Sequence, residues 1–159
     1  MSFVCRQLGP GDIGLMEAVS SLFGEVFDET ETCTGQRPSA NYLQRLLGGD
    51  SFIAIAALKG TEVVGGLAAY ELRKFEQECS EVYIYDLAVS GSHRREGIAT
   101  ALIEAVKTVA LERGAYVIFV QADTEVEDEP AIALYSRLGQ REEVLHFDIP
   151  VTGESGNAR

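Results

Sequence analysis

The chain has no tryptophan, two methionines, two histidines and three cysteines in 159 residues. Three cysteines in unrelated segments, Cys5, Cys33 and Cys79, give no disulfide framework and are typical of reduced thiols in a cytoplasm. Two distant histidines and no Cys-x-x-Cys pair argue against a zinc site. The chain also has no apolar run of membrane-spanning length and no signal-peptide pattern at its start. We therefore expect a soluble, cytoplasmic protein without a bound metal.

Basic residues are also scarce, with 13 Lys and Arg against 25 Asp and Glu and a formal net charge of −12. Nucleic acids and anionic membrane surfaces repel such a protein, so neither is an expected partner. A cationic small molecule would instead be attracted. The alternative is an acidic surface that serves only solubility.

Hydrophobic periodicity and turn residues predict one α/β domain over residues 1–150, followed by a flexible tail at 151–159. The strands over 81–89 and 116–120 flank a helix, so they should be parallel neighbours joined by a right-handed crossover. The predicted strands are 3–8, 52–58, 63–72, 81–89, 116–120 and 144–149, and the predicted helices are 12–27, 38–47, 98–113 and 130–138.

A basic loop that contains Gly97 lies between the strand over 81–89 and the helix that follows. The first turn of a helix has unpaired N–H groups and the positive end of the helix dipole, and phosphate is the anion usually bound there. Gly97 allows a ligand to approach the backbone closely. The alternative is a basic turn that only caps an ordinary helix.

Residues 94–99 read Arg-Arg-Glu-Gly-Ile-Ala. This pattern resembles the acetyl-CoA-binding segment of the GNAT acetyltransferases, Gln/Arg-x-x-Gly-x-Gly/Ala. Residues 131–139 resemble the helix of that family whose tyrosine lies near the cofactor sulfur. The runs 84–91 and 142–149 are similar to the small type I aminoglycoside 3-N-acetyltransferases. The resemblance implies a mixed, mostly antiparallel central sheet flanked by helices, with a splayed parallel strand pair forming the acetyl-CoA cleft.

The same resemblance implies where the cofactor binds. The main chains of Leu87 and Val89 should pair with its pantetheine arm, with room made by a splay between the parallel strands at Val117. The N–H groups of residues 95–100 should hold the pyrophosphate, with charge-assisted hydrogen bonds from the arginines. The predicted cofactor-binding residues are Leu87, Ala88, Val89, Arg94, Arg95, Glu96, Gly97, Ile98, Ala99, Thr100 and Tyr135.

Acyl transfer to an amine needs a base for the ammonium, a donor to the oxyanion and an acid for the thiolate. The resemblance assigns the Leu87 N–H to the oxyanion and Tyr135 to the thiolate, although Tyr135 also fits a core position. Asp86 in an apolar strand is the candidate base or acceptor anchor, followed by Tyr83 and Glu81; a structural carboxylate is the alternative. Strict alternation separates Asp86 from Tyr83, and a β-bulge would change that parity.

Acidic loop residues predict a surface for a cationic acceptor such as an aminoglycoside, and solvated charge is the alternative. This acidic surface could include the segment 28–31 and the carboxylates near both ends of the last predicted helix. Asp128 stands where the family often has a cofactor-binding Asn; an ionised Asp donates no hydrogen bond, which puts that contact in doubt. His146 is an alternative base. The predicted acceptor-binding residues are Glu81, Asp86, Asp123, Glu125 and Asp148.

The sequence thus predicts acetyl-CoA-dependent N-acetylation of an aminoglycoside amine. The 3-N position, the antibiotic resistance that follows, and a homodimer formed through terminal strands come from the resemblance alone. Acetylation of a polyamine, an amino sugar or a protein amine is an alternative, as is a non-catalytic module that only binds acetyl-CoA.

Overall fold

The computed structural model describes residues 2–28 and 37–152. The chain divides into two compact units, residues 1–121 and 122–159, which are described separately. The single-domain interpretation of residues 1–150 stays a prediction. The first unit contains β1 Val4–Gln7, α1 Ile13–Val26, α2 Ala40–Gly48, β2 Phe52–Lys59, β3 Glu62–Arg73, β4 Ser80–Val89, α3 Ile98–Glu112 and β5 Ala115–Val120. The second contains α4 Glu129–Leu138, preceded by a 3₁₀ turn at Val126–Asp128.

The five strands form one sheet in chain order, β1-β2-β3-β4-β5. The first three pairings are antiparallel, and β4 pairs with β5 in parallel. The parallel pair needs a crossover connection, which α3 provides. The predicted mixed, mostly antiparallel sheet is confirmed.

Two adjacent glycines in β3 show how closely helices cover both faces of this sheet. A Cβ added to Gly65 would lie 2.7 Å from Cγ2 of Ile98 in α3, and one added to Gly66 would lie 2.8 Å from Cγ1 of Val19 in α1. Neighbouring strand residues face opposite sides, so α1 and α3 cover opposite faces. A larger side chain at either glycine would displace a helix.

Ser39 and Asp12 each precede the first residue of a helix, but only Ser39 caps its helix. Ser39 accepts a hydrogen bond from the Tyr42 N–H at 3.1 Å, which confirms the predicted start of α2. The Asp12 carboxylate instead accepts from the Gly9 N–H at 2.7 Å and pairs with Arg6 at 2.6 Å. Asp12 precedes α1 as predicted, but its side chain stabilises the preceding turn rather than the N–H groups of the helix.

The predicted strand over 144–149 is wrong. These residues are described, but they have no regular secondary structure. Their apolar side chains lie in solvent, with Val144 69%, Leu145 84%, Phe147 76% and Ile149 84% exposed. Apolar alternation gives a segment strand propensity, but a strand forms only when a neighbouring edge pairs with its N–H and C=O groups. The five described strands already form their sheet without this segment.

Candidate active site

A β-bulge interrupts β4 halfway along its length. Opposite β3, Ala69 pairs with Ile84 and Ala68 pairs with Asp86, so Tyr85 is the extra residue. A bulge of this kind reverses side-chain alternation beyond it and recurs beside active sites. The bulge raised as a possibility from the sequence is therefore present.

The bulge brings Asp86 to the face that carries Tyr83. Cross-strand partners share a face, and Ala68, the partner of Asp86, belongs to the core cluster that packs against α1. Ala88 lies in the same cluster. Tyr83 pairs with Tyr70, which packs against that cluster as well. Without the bulge, Asp86 would face α3.

Aromatic rings surround this position. Tyr85 meets Tyr70 and Tyr83 edge to face, with centroid separations of 5.9 and 5.7 Å. Tyr83 stacks on Phe119 at 4.7 Å, and its hydroxyl donates to Oε1 of Gln121 at 3.1 Å. The Tyr85 ring is fixed on two sides and still 41% exposed. It offers a rigid aromatic surface beside the half-buried Asp86.

The two parallel strands separate beyond the bulge. Pairing between β4 and β5 ends at Ile84 and Val120, and β4 continues to Val89 with β3 as its strand partner. The prediction of a splay at Val117 is wrong in position, since Val117 pairs with Glu81. The separation lies after β5 ends. Among the described strands, none pairs with residues 87–89 on the side away from β3, which is the side where an extended ligand could add to the edge.

The loop after β4 has a backbone suited to an anion. Arg95 and Gly97 both have left-handed conformations, with φ of 66° and 81°. A Cβ on Gly97 would meet nothing within 4 Å, so the space beside it is open. The N-cap residue of α3 is Gly97, which has no side chain to accept hydrogen bonds from the first N–H groups of the helix. Arg94 and Arg95 are exposed. These features fit the predicted phosphate-binding role.

The loop also carries an acidic residue, Glu96, which forms an ion pair with Lys59. The Nζ–Oε1 distance is 2.6 Å, and the Lys59 side chain is only 12% exposed. The hydrogen bond and the charge of Lys59 hold the pKa of Glu96 below its usual value. Lys59 is the last residue of β2, so the pair joins the β2–β3 hairpin to this loop.

Glu81 lies apart from the bulge. It pairs with Leu72 on one side and Val117 on the other, and accepts a hydrogen bond from the Tyr116 hydroxyl at 3.2 Å. Four residues of strand separate it from Asp86, a span of roughly 15 Å. The predicted grouping of Glu81 with Asp86 at one acceptor site stays a prediction.

The remaining predicted acceptor residues belong to the second unit. Asp123, Glu125 and Asp148 are exposed. The Asp123 N–H donates to the Asp128 carboxylate at 2.8 Å, so Asp128 is engaged within its own loop. Asp148 lies 2.9 Å from Nε2 of His146. Their part in acceptor binding stays a prediction, and of the segment 28–31 all but Asp28 falls outside the described residues.

Tyr135 is half-buried in α4, one turn before the end of the helix. Burial, together with the charge of Asp128, raises the pKa of Tyr135 to about 12. Its phenol therefore keeps its proton throughout the physiological range. A proton donor needs that state, although the role itself stays a prediction.

Two functional features of the first unit were missed from the sequence. Tyr70 and Phe119 complete the aromatic group around Tyr85, and Lys59 pairs with Glu96. The shared face of Tyr83 and Tyr85 was a partial signal for the first. No local pattern in the sequence indicates that Lys59 has a partner that far along the chain.

Within the described ranges, no group of three or more His, Cys, Asp and Glu side chains is placed to hold a metal ion. In the same residues, no helix has the length and apolar character to cross a membrane.

The sheet with its separated strands, the bulge and the basic loop before α3 are the features of one enzyme family. The family model described as "Acetyltransferase (GNAT) family" matches residues 16–140. The chain belongs to the GNAT acetyltransferase family. Members of this family use acetyl-CoA, and the predicted GNAT fold is confirmed.

Two solved structures resemble this GNAT chain over nearly their full length. An aminoglycoside acetyltransferase, HMB0005, from an uncultured soil metagenomic sample is 66% identical with a TM-score of 0.93, covering 95% of this chain and 99% of that one. Another, meta-AAC0020 from an uncultured soil metagenomic sample, in complex with sisomicin, is 31% identical with a TM-score of 0.85, covering 94% and 96%.

A curated relative matches over a shorter region. N-alpha-acetyltransferase 30 from Schizosaccharomyces pombe (strain 972) is 44% identical over 57 residues, which is 36% of this chain and 37% of the relative. The match thus spans little more than a third of that protein.

Proposed function

We propose that this protein transfers the acetyl group of acetyl-CoA to an amine of an aminoglycoside, and that the modified drug no longer inhibits the cell. The observation that carries the proposal is the 66% identity, over 95% of the chain, to an aminoglycoside acetyltransferase. The 3-N position follows from the type I resemblance of residues 84–91 and 142–149. Action in the cytoplasm stays a prediction from the cysteine pattern.

Asp86 is the proposed base. An aminoglycoside amine is an ammonium at neutral pH and must lose a proton before it attacks. Asp86 would accept that proton directly or through one water, and its position on the face of Tyr83 and Tyr85 supports this role. Its negative charge would also attract the ammonium to the site.

The Leu87 N–H is proposed to stabilise the oxyanion, and Tyr135 is proposed to protonate the leaving thiolate. Acetyl-CoA, when bound, supplies an activated acetyl group on a thioester sulfur. The Leu87 N–H would donate to the thioester carbonyl oxygen as negative charge develops there. Tyr135 would give its proton to the departing sulfur, a role that its raised pKa supports.

Cofactor phosphates are proposed to bind the loop before α3. The N–H groups of residues 95–100 would donate to them, and the Arg94 and Arg95 guanidiniums would add charge-assisted hydrogen bonds. The left-handed Gly97, with open space at its Cα, supports close contact between ligand and backbone.

The acceptor is proposed to lie against the aromatic surface of Tyr85. An ammonium group over the face of an aromatic ring is attracted by the ring quadrupole. The net charge of −12 would raise the rate of encounter with a polycationic drug. Asp123, Glu125 and Asp148 are proposed to bind further ammonium groups.

Thiol release from acetyl-CoA by the purified protein tests the proposal, with gentamicin, sisomicin, spermidine and a peptide with a free N-terminal amine as acceptors. Rapid release with the aminoglycosides alone supports it, and NMR of the product would identify the acetylated nitrogen. Release with spermidine or the peptide alone would refute the aminoglycoside assignment. Binding without release to any acceptor would refute catalysis.

Acetylation of a protein amine is the second candidate, favoured by the similarity of 57 residues to N-alpha-acetyltransferase 30. The peptide in the panel represents it. Since that match covers about a third of this chain, it supports the cofactor chemistry more than the choice of acceptor.

A homodimer formed through the C-terminal segment is proposed from the resemblance. The exposure of Leu145, Phe147 and Ile149 supports it, because this alternating segment would gain hydrogen bonds and apolar contacts from a second copy. Sedimentation of the intact protein and of Phe147→Asp tests it: loss of a wild-type dimer in the variant supports the proposal, and a monomeric wild type refutes it.

A further inference from the structure

The phosphate-binding loop contains a residue of the wrong charge for its proposed ligand. Glu96 directly precedes the left-handed Gly97 and directly follows the exposed Arg94 and Arg95. An uncompensated carboxylate there would repel the pyrophosphate that the neighbouring N–H groups are proposed to bind. The loop therefore needs a group that neutralises Glu96.

Lys59 is that group in the structure. Its ammonium lies 2.6 Å from Oε1 of Glu96, and the burial of most of the Lys59 side chain reduces screening on that side of the pair, whereas Glu96 is exposed. The hydrogen bond and charge of Lys59 lower the pKa of Glu96, which further favours the ionised form of its carboxylate. The two residues lie 37 positions apart in the chain.

The backbone around Glu96 also benefits from an anchor. Arg95 has a left-handed conformation at φ 66°, which is unfavourable for a residue with a Cβ. Such conformations persist where the surroundings hold them. The ion pair fixes the side chain of the next residue, and the Ser90 N–H donates to the Val64 carbonyl at 2.8 Å at the start of the loop. Both contacts attach the loop to the β2–β3 hairpin.

We propose that Lys59 is a positioning residue for cofactor binding, which holds the Glu96 carboxylate and cancels its charge so that the loop presents N–H groups and arginines to the anionic cofactor. The inference rests on the proposed binding of acetyl-CoA at this loop. It places Lys59 in contact with Glu96 and not with the cofactor itself.

A double-mutant cycle tests the inference, with the Kd of coenzyme A measured by calorimetry. We expect Lys59→Met to raise the Kd about tenfold and Lys59→Met/Glu96→Gln to return it to within about threefold of the wild type. Glu96→Gln alone loses the anchor but leaves no uncompensated negative charge, so it should raise the Kd less than Lys59→Met does. The KM of the acceptor should stay constant in all three. The matched control is Lys107→Met, which removes the exposed lysine of the α3 pair with Glu104 and should change nothing.

Two results would overturn the inference. Wild-type affinity in Lys59→Met would show that Glu96 needs no partner. A weakened Lys59→Met that Glu96→Gln does not relieve would show that Lys59 acts on the cofactor directly. Thermal unfolding of each variant ensures that only folded protein is compared.

Gly97→Asp separates this inference from the proposed function. A side chain and a negative charge at the left-handed Gly97 should weaken coenzyme A binding at least about a hundredfold if the loop holds the phosphates. Unchanged affinity in Gly97→Asp would refute the loop as the cofactor site. Weak binding in Gly97→Asp with normal binding in Lys59→Met would refute the role of Lys59 alone.

Discussion

The two halves of β4 differ in what pairs with them. Residues 80–84 are paired with β3 on one side and β5 on the other, whereas residues 85–89 continue with β3 after β5 has ended. Opposite the first half lies the buried Glu71, which is held by Arg113 at 2.8 Å. The second half holds the bulge at Tyr85 and the candidate base Asp86.

This difference shows how one strand can serve both stability and chemistry. Where both edges are paired, the backbone is satisfied and side chains determine only packing. Where one edge is open, the backbone can bind a ligand, and the bulge can place a carboxylate on the required face. Apart from Tyr83, whose ring lies beside the site, we therefore expect substitutions at the first half to change stability and substitutions at the second half to change activity.

The largest expected effect is that of Asp86→Asn in the open half. Loss of the base should lower kcat about a hundredfold or more, with the affinity for acetyl-CoA retained. Steady-state kinetics with an aminoglycoside, together with calorimetry, would measure both. Asp50→Asn is the control, because that carboxylate is exposed and pairs with Arg73. Turnover of Asp86→Asn within about threefold of the wild type would assign the base elsewhere.

Tyr135→Phe tests the proposed acid role of Tyr135. We expect kcat to fall about thirtyfold with little change in cofactor affinity. Because the pKa of Tyr135 is raised to about 12, the phenol stays protonated below that value. The loss should therefore be equal at pH 7 and pH 10. A pH–rate profile measures this, and unchanged turnover across it would exclude the acid role.

Glu71→Gln, opposite the paired half, should leave kcat unchanged and lower the free energy of unfolding by about 2 kcal/mol, because the charged hydrogen bond from Arg113 is lost. Urea unfolding would measure this loss. Arg73→Gln, which removes an exposed charge, is the control. A fall in turnover without a loss of stability would contradict the assignment of stability to the paired half of β4 and of activity to the other half.

The pH dependence of this stability has a definite sign. Burial acts to raise the pKa of Glu71, but the hydrogen bond and charge of Arg113 hold it below the ordinary value of 4.5. A lowered folded-state pKa means that the stabilisation is present above pH 4.5 and is lost as pH falls through the folded value. The difference between wild type and Glu71→Gln should shrink over that acid range.

The smallest expected effect is that of Tyr85→Leu. Loss of the aromatic face should raise the KM for an aminoglycoside about three- to fivefold, which is the size of a cation–π contact at an exposed site. Tyr85→Phe, which keeps the ring, should stay near the wild type. Equal KM values for the leucine variant and the wild type would show that the acceptor binds away from this ring.

Much of the fold was predictable because it depends on local patterns. Alternation and turn residues located the five strands, helical spacing located α3, and Ser39 indicated the start of α2. The strand over 144–149 was mispredicted because propensity says nothing about whether an edge is available to pair. The splay was misplaced because the end of β5 depends on pairing rather than on composition.

The candidate site was predictable in part. Residues 94–99 match the acetyl-CoA-binding pattern of the family. Asp86 was predicted as a site residue because a carboxylate in an apolar strand needs a partner. The face of the sheet on which Asp86 lies depends on the extra residue Tyr85 in the pairing of β4 with β3. The sequence permits that bulge but does not require it. The Lys59–Glu96 pair depends on how two distant loops meet, which only the folded chain shows.

Residue-resolved amide hydrogen exchange, measured by NMR with and without acetyl-CoA, tests the division of β4 most directly. We predict slower exchange on cofactor addition at Leu87 and Val89 and over residues 95–100, with no change over residues 80–84. Slower exchange over 80–84 with none at Leu87 and Val89 would contradict the account, because the paired half would then be the one that binds the cofactor.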